Sequence, residues 1–263
     1  MQTVNLGGHL VLGIDIGSTA VKGVLYGGEA LEWGLAPTGW SPRDAGQSMI
    51  AELLRRHELS EKDLAALIST GYGRRTLTAA TKQVTEITCH ARGAHELCPQ
   101  ARTVLDIGGQ DSKVIRLDEH GGVVDFAMND KCAAGTGRFF QVLSHALDYD
   151  VESFGAIPAD GPIEPLSSMC TVFAESEVIG NLARGVPREN IVRGLLKSIA
   201  SRSAGMLAKV GMKPPLFFSG GLSRSPSLRA FLERELDCPV QVHEKSQFAG
   251  ALGAALIGWG AIE

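Results

Sequence analysis

Apolar positions along the chain fall into short continuous runs separated by helix-spaced stripes, the pattern of a mixed α/β protein. The run Leu10-Val11-Leu12-Gly13-Ile14 lacks alternation, so it predicts a buried strand, ending in Asp15 and a Gly17-Ser18-Thr19 turn. Val21–Tyr26 predicts a second strand, which makes that turn a hairpin, and Leu31–Ala36 a third. Ser41-Pro42 supplies an N-cap and a first-turn proline, and Met49, Leu53 and Leu54 the apolar stripe of a helix reaching His57. Ser60-Glu61-Lys62-Asp63 leads into the buried run Leu64–Ile68. That run closes in Ser69-Thr70-Gly71-Tyr72-Gly73-Arg74-Arg75, a turn suited to lining a cleft or simply to the surface. Val84–Thr88 and a helix from about Cys89 to Leu97 complete the first half.

The second half opens by repeating the first. Asp15-Ile16-Gly17-Ser18 with Lys22 corresponds to Asp106-Ile107-Gly108-Gly109 with Lys113, and each lysine follows its aspartate by seven residues. Two such hairpins about 90 residues apart predict two related lobes, about 10–98 and about 99–258, clamping one nucleotide within a domain spanning 10–258. Cys132 is expected at the mouth of a helix running to about Leu147, and Cys170 repeats that arrangement 38 residues later. Ile191–Val210 predicts a long helix and Leu216–Phe218 a strand ending in Ser219-Gly220-Gly221. A helix at about Pro226–Leu236, a short strand Val240–Val242 and a last helix Gln247–Ile257 follow. Gly250, Ala251, Gly253, Ala254 and Ala255 give that last helix a small-residue surface for close packing.

Both hairpins carry phosphate-binding chemistry. Glycine lets the backbone approach a phosphate, Ser18 and Thr19 offer hydroxyls, and Asp15 can hold magnesium through water. A tight hairpin with a turn aspartate has the same local pattern. The turn matches neither a Walker loop, which needs G-x-x-x-x-G-K-[ST], nor a dinucleotide fingerprint, which opens a helix. The five cysteines (Cys89, Cys98, Cys132, Cys170, Cys238) form no C-x-x-C pair and match no disulfide framework, zinc ribbon or ferredoxin run. Spacing alone reads them as buried thiols. A helix N-terminus, however, favours a thiolate, the metal-binding form. Two thiolates cannot close a four-ligand site, but two copies of the chain could.

The 263 residues, 44% of them hydrophobic, suffice for a packed core. A formal charge of −4 without a Lys/Arg block excludes a nucleic-acid or polybasic membrane role. No apolar run reaches the roughly 18–20 residues of a membrane span, and Met1–Gly7 lacks the design of a signal peptide, so a cytoplasmic protein is expected.

Gly13-Ile14-Asp15-Ile16-Gly17-Ser18-Thr19, Asp106-Ile107-Gly108-Gly109-Gln110-Asp111 and Ser219-Gly220-Gly221 resemble the phosphate-1, phosphate-2 and adenosine motifs of the acetate and sugar kinase/Hsp70/actin superfamily. Within it, the segments Asn129–Arg138 and Cys170–Glu177 look like those of the BadF/BadG/BcrA/BcrD-type ATPases, which include the activators of 2-hydroxyacyl-CoA dehydratases. The resemblance implies an α/β, ribonuclease H-like fold with two related lobes around a nucleotide cleft. It implies ATP with Mg2+, and a homodimer with one [4Fe-4S] cluster ligated by Cys132 and Cys170 of each copy. ATP binding and hydrolysis would gate one electron from a ferredoxin or flavodoxin donor to an iron–sulfur dehydratase, where a ketyl radical makes loss of water possible. Asp15 and Asp106 would bind magnesium through water, and Gln110 or Asp111 would orient the attacking water. Gly17, Ser18, Thr19, Lys22, Gly108, Gly109 and Gln110 would meet the phosphates, and Ser219, Gly220, Gly221 and Gln247 the adenosine. Within the family, a benzoyl-CoA reductase subunit or a reductase of a double-cubane protein remains open. A small-molecule kinase on this scaffold would need a general base and a substrate-binding insertion, and none is visible.

Overall fold

Two five-stranded sheets with the same strand order organise the chain in a computed structural model that describes residues 9–167 and 170–262. One compact unit takes the chain up to Gln100, Asp118–Val123 and the segment from His243 onward; the other takes Ala101–Leu117 and Val124–Val242.

In the first unit, β1 (Leu10–Ile16), β2 (Ala20–Tyr26) and β3 (Ala30–Pro37) form an antiparallel meander. Helix α1 (Pro42–Arg56) starts where Ser41 Oγ accepts from Asp44 N at 3.3 Å and Pro42 occupies the first turn. β4 (Leu64–Thr70) and β5 (Lys82–Gln83) then pair parallel on the other side of β1, giving the order β3-β2-β1-β4-β5. Leu12, Ile14 and Ile16 of β1 pack with Met49, Ile50 and Leu53 of α1, while Val11 packs with Ala66, Ile68 and Cys89. Burial on both faces explains the unbroken apolar run. Helix α2 (Glu86–Leu97) begins three residues before the expected Cys89, because Thr85 accepts from Thr88 N at 3.3 Å and caps it there.

In the second unit, β6 (Thr103–Ile107), β7 (Ser112–Leu117) and β8 (Val123–Asn129) repeat the meander. Helices α3 (Gly137–Ala146), α4 (Val151–Gly155), α5 (Thr171–Ala183) and α6 (Arg188–Lys209) fill the connection that α1 alone makes in the first unit. β9 (Leu216–Gly220), α7 (Pro226–Leu236) and β10 (Val240–Gln241) complete the order β10-β9-β6-β7-β8. The cysteine-bearing segments therefore belong to the insertion between β8 and β9. Neither β8 nor α4 was expected. Val123, Val124, Phe126 and Met128 are all exposed, so β8 lacks one buried face, and α4 is a five-residue turn capped by Asp150.

The last helix, α8 (Ala249–Trp259), packs on β1, β4 and α2 of the first unit. Backbone-to-backbone approach holds it there. A Cβ on Gly13 would overlap the Ala251 carbonyl oxygen, one on Gly93 the Ala249 carbonyl oxygen, and one on Gly253 the Cys89 carbonyl oxygen. Among the described residues no helix is long and apolar enough to cross a membrane.

Candidate functional site

Asp15 and Lys22 are register partners across the β1–β2 hairpin, with Nζ 3.3 Å from Oδ2. The seven-residue spacing is thus the reach across a tight hairpin, not a phosphate signature in itself. Asp15 is only 4% exposed. Gly71 has φ +90°, and a Cβ there would stand 2.5 Å from Asp15 Oδ1, so this turn needs glycine twice over. The same turn closes on the end of β1, where Gly73 N donates to the Ile16 carbonyl at 2.8 Å. Thr38, missed in the sequence, pins the hairpin tip: its hydroxyl donates to the Gly17 carbonyl at 2.7 Å and its N–H to that of Thr19 at 3.0 Å. Ser18 is half-buried and Thr19 exposed at that tip.

The second hairpin is built alike and wired differently. Lys113 Nζ lies 3.4 Å from its register partner Asp106 and 2.8 Å from Asp111, with Lys113 buried. Ser219, the register partner of Asp106 on β9, donates its hydroxyl to Asp106 Oδ1 at 2.8 Å. Ser219, expected to border adenosine, is buried, and strand alternation puts its hydroxyl on the carboxylate's face. Gly220 has φ +84°, and a side chain there would overlap the Ile107 carbonyl; Gly221 is exposed. Gln247 stands half-buried on the 3-10 turn Ser246–Phe248 of the first unit, whereas Ser219–Gly221 belong to the second. Gly108 N donates to the Asp111 carbonyl at 2.9 Å, closing a turn with Gln110 exposed at its tip.

That turn also receives the start of α3. Gly137 N donates to the Gly108 carbonyl at 2.8 Å, Arg138 N to the Gly109 carbonyl at 2.7 Å, and Ser112 Oγ to the Gly135 carbonyl at 3.1 Å. Two of the helix's unpaired N–H groups are therefore spent on the glycine turn. Cys132 does not sit at a helix mouth: α3 begins five residues later, after a left-handed Gly135 (φ +83°) and a buried Thr136 whose hydroxyl donates to the Ala133 carbonyl. Cys132 is exposed in the preceding loop, its carbonyl accepting from Asn129 Nδ2 at 3.0 Å. Cys170 is exposed at the N-cap of α5, as expected, with its carbonyl accepting from Ala174 N at 2.8 Å. Met169 of that motif, with Ser168, lies outside the described residues. Glu177 of α5 accepts from Ser167 N and Oγ at 2.9 and 3.0 Å, anchoring the chain just ahead of the cysteine.

Thiolates are the donor set of iron–sulfur clusters, and both thiols are open to solvent, so the residues fit such a group. Among the described residues no three His, Cys, Asp or Glu side chains gather as a metal site. Cys89 is the opposite case: burial pushes its thiol up to about 12 beside the Thr70 hydroxyl.

Residues 12–258 match the BadF/BadG/BcrA/BcrD ATPase family. The uncharacterized protein YjiL of Escherichia coli is 46% identical over 248 residues, 94% of this chain and 96% of its own. Component A of (R)-2-hydroxyglutaryl-CoA dehydratase from Acidaminococcus fermentans superposes with a TM-score of 0.92 at 38% identity, covering 97% of this chain and all of that one. The activator of 2-hydroxyisocaproyl-CoA dehydratase from Clostridium difficile, solved with bound ADPNP, gives 0.90 at 37% identity over 96% and 95% of the two chains. The fold is that of the acetate and sugar kinase/Hsp70/actin group.

Proposed function

Because the chain belongs to the BadF/BadG/BcrA/BcrD ATPase family, we propose that it is an ATP-dependent activator that passes one low-potential electron to a 2-hydroxyacyl-CoA dehydratase. In this reading it works as a homodimer holding one [4Fe-4S] cluster on Cys132 and Cys170 of each copy. It receives electrons from a ferredoxin or flavodoxin, and it binds ATP with Mg2+. The cluster, when bound, supplies the one-electron carrier.

The observation that carries the reading is the link between the Gly108-Gly109 turn and the cysteine insertion. The peptide groups expected to meet ATP phosphate also accept from Gly137 and Arg138, the first residues of the helix that follows Cys132. A phosphate arriving at that turn, or leaving it, acts on hydrogen bonds that set where α3 begins. Nucleotide state thereby biases the Cys132 loop, which is the differential interaction a coupled transition requires. On the nucleotide side, Asp15 and Asp106 hold the magnesium shell. Gln110, exposed at the tip, orients the attacking water, since Asp111 is engaged by Lys113. On the partner side, Val172, Phe173 and Ile179 of α5 are exposed beside Cys170 and give a second copy an apolar surface to cover.

Anaerobic purification with iron, sulfide and visible-spectrum analysis tests this, alongside Cys132→Ala. About four irons per dimer, lost in the variant, is the expected result. A wild-type protein that is iron-free, together with a Cys132→Ala variant that hydrolyses ATP equally well, would overturn the redox reading.

A further inference from the structure

Asp15 has a buried neighbour that lies outside its hairpin and outside every motif. His90, on α2, is 5% exposed. Its Nε2 and Asp15 Oδ2 converge on Gly250 of α8: a Cβ at that position would stand 2.9 Å from the first and 3.0 Å from the second. Lys22 Nζ approaches the same oxygen at 3.3 Å. Oδ1 instead faces Gly71, where the absence of a side chain keeps that side clear. The imidazole and the ammonium thus both lie on the Oδ2 side of a buried carboxylate, and glycine guards the other.

The placement of His90 is rigid. Its helix meets α8 through Gly93 and Gly253, where no side chain fits between the backbones, so the imidazole is carried by a contact that cannot slide. A buried carboxylate left with too few donors is costly and free to rotate. An imidazole N–H directed to the Oδ2 side supplies a donor that a strand neighbour could not.

We propose that His90 is a positioning residue for Asp15: with Lys22 it fixes the carboxylate rotamer, presenting Oδ1 toward the Gly71 turn, and position 250 is glycine because a methyl group would part the pair. The inference rests on Asp15 serving the nucleotide site. A group that only orients Asp15 for hydrolysis affects turnover more than nucleotide binding.

The test uses the full chain with His90→Leu and His90→Gln, the glutamine retaining an N–H near the Nε2 position. ATP hydrolysis is measured together with ADPNP affinity, with and without Mg2+, and thermal unfolding. Loss of one hydrogen bond to a charged group predicts a kcat lowered roughly tenfold to a hundredfold in His90→Leu, with KM within about threefold. His90→Gln should regain most of it, and the added affinity that Mg2+ confers on ADPNP should shrink in the leucine variant alone. Wild-type kcat in His90→Leu, or equal losses in both variants, would overturn the inference. If His90→Leu does not fold, Gly250→Ala takes its place: reduced kcat at unchanged KM supports the inference, and wild-type kcat overturns it. A wild-type protein that neither binds nor hydrolyses ATP would instead remove the nucleotide reading, and this inference with it.

Discussion

Lys22 and Lys113 occupy equivalent places in two similar hairpins, and the structure assigns them opposite weights. Lys113 is 1% exposed and spans two carboxylates, Asp106 at 3.4 Å and Asp111 at 2.8 Å. Replacing it by methionine keeps most of the side-chain volume but leaves the buried Asp106 carboxylate, to which the Ser219 hydroxyl donates, without its lysine. Breaking a buried pair on one side costs about 3–5 kcal/mol. At about 2–4 °C per kcal/mol for a protein of this size, Lys113→Met should lower Tm by roughly 6–20 °C. Lys22 has a side chain 17% exposed and, among the described residues, pairs with Asp15 at 3.3 Å and no second carboxylate, so Lys22→Met should cost less than about 2 kcal/mol. Its loss should appear in nucleotide binding, where one charge-assisted contact to phosphate is worth roughly tenfold to a hundredfold in Kd. Differential scanning calorimetry and titration with ADPNP separate the two effects. A Lys113→Met protein with wild-type Tm and weakened ADPNP binding would refute the division of roles, because Lys113 would then be reaching the phosphates.

Thiol labelling offers a second check. In iron-free protein Cys132 and Cys170 should react readily with a thiol reagent at pH 8. Cys89, buried and pushed up to about 12, should remain unlabelled, since at that pH only about one such thiol in ten thousand is ionised. Gly253→Ala removes a helix glycine, which alone would favour α8 by about 1 kcal/mol. The new methyl would overlap the Cys89 carbonyl, so the net effect measured by urea unfolding should be destabilisation by about 1–3 kcal/mol. Acid unfolding should show the turn and cap aspartates. Backbone N–H of Ser60 lowers Asp63, backbone N–H groups of Gly122 and His120 lower Asp118, and the Ser153 hydroxyl and N–H lower Asp150, each below the ordinary 3.8. With depressed folded values, their contribution is present above that pH and is lost as pH falls through the lower folded values. Urea midpoints should therefore be insensitive to these three groups between pH 7 and 5, and Asp118→Asn should remove part of the decline seen at more acid pH.

Some of this protein was legible along the chain because it depends on near neighbours. The strand β1 and its turn follow from an unbroken apolar run meeting Asp15 and Gly17. The helix α1 follows from Ser41, Pro42 and a stripe at helical spacing. The doubling of the hairpin follows from one seven-residue interval found twice. Cys170 at the head of α5 was likewise a local matter.

What escaped the sequence depends on partners far along the chain. The start of α3 was misplaced because its first N–H groups are taken by Gly108 and Gly109, strangers in sequence to Gly137 and Arg138. β8 escaped because its apolar residues are exposed, so no buried face marks them. The Ser219 hydroxyl meets Asp106 through the parallel register of β9 on β6, which no local motif marks. His90 stood out in the sequence only as the neighbour of Cys89, and it converges with Asp15 on Gly250 because α8 returns to the first unit and glycines let α2 come close. The sequence by itself determined the elements and the repeated hairpin, for these rest on the bonds and side-chain period of a local stretch. Tertiary structure decided which carboxylate is buried against which lysine, and which helix end is joined to which turn, because a donor or acceptor is satisfied by whatever the packed backbone brings within about 3 Å.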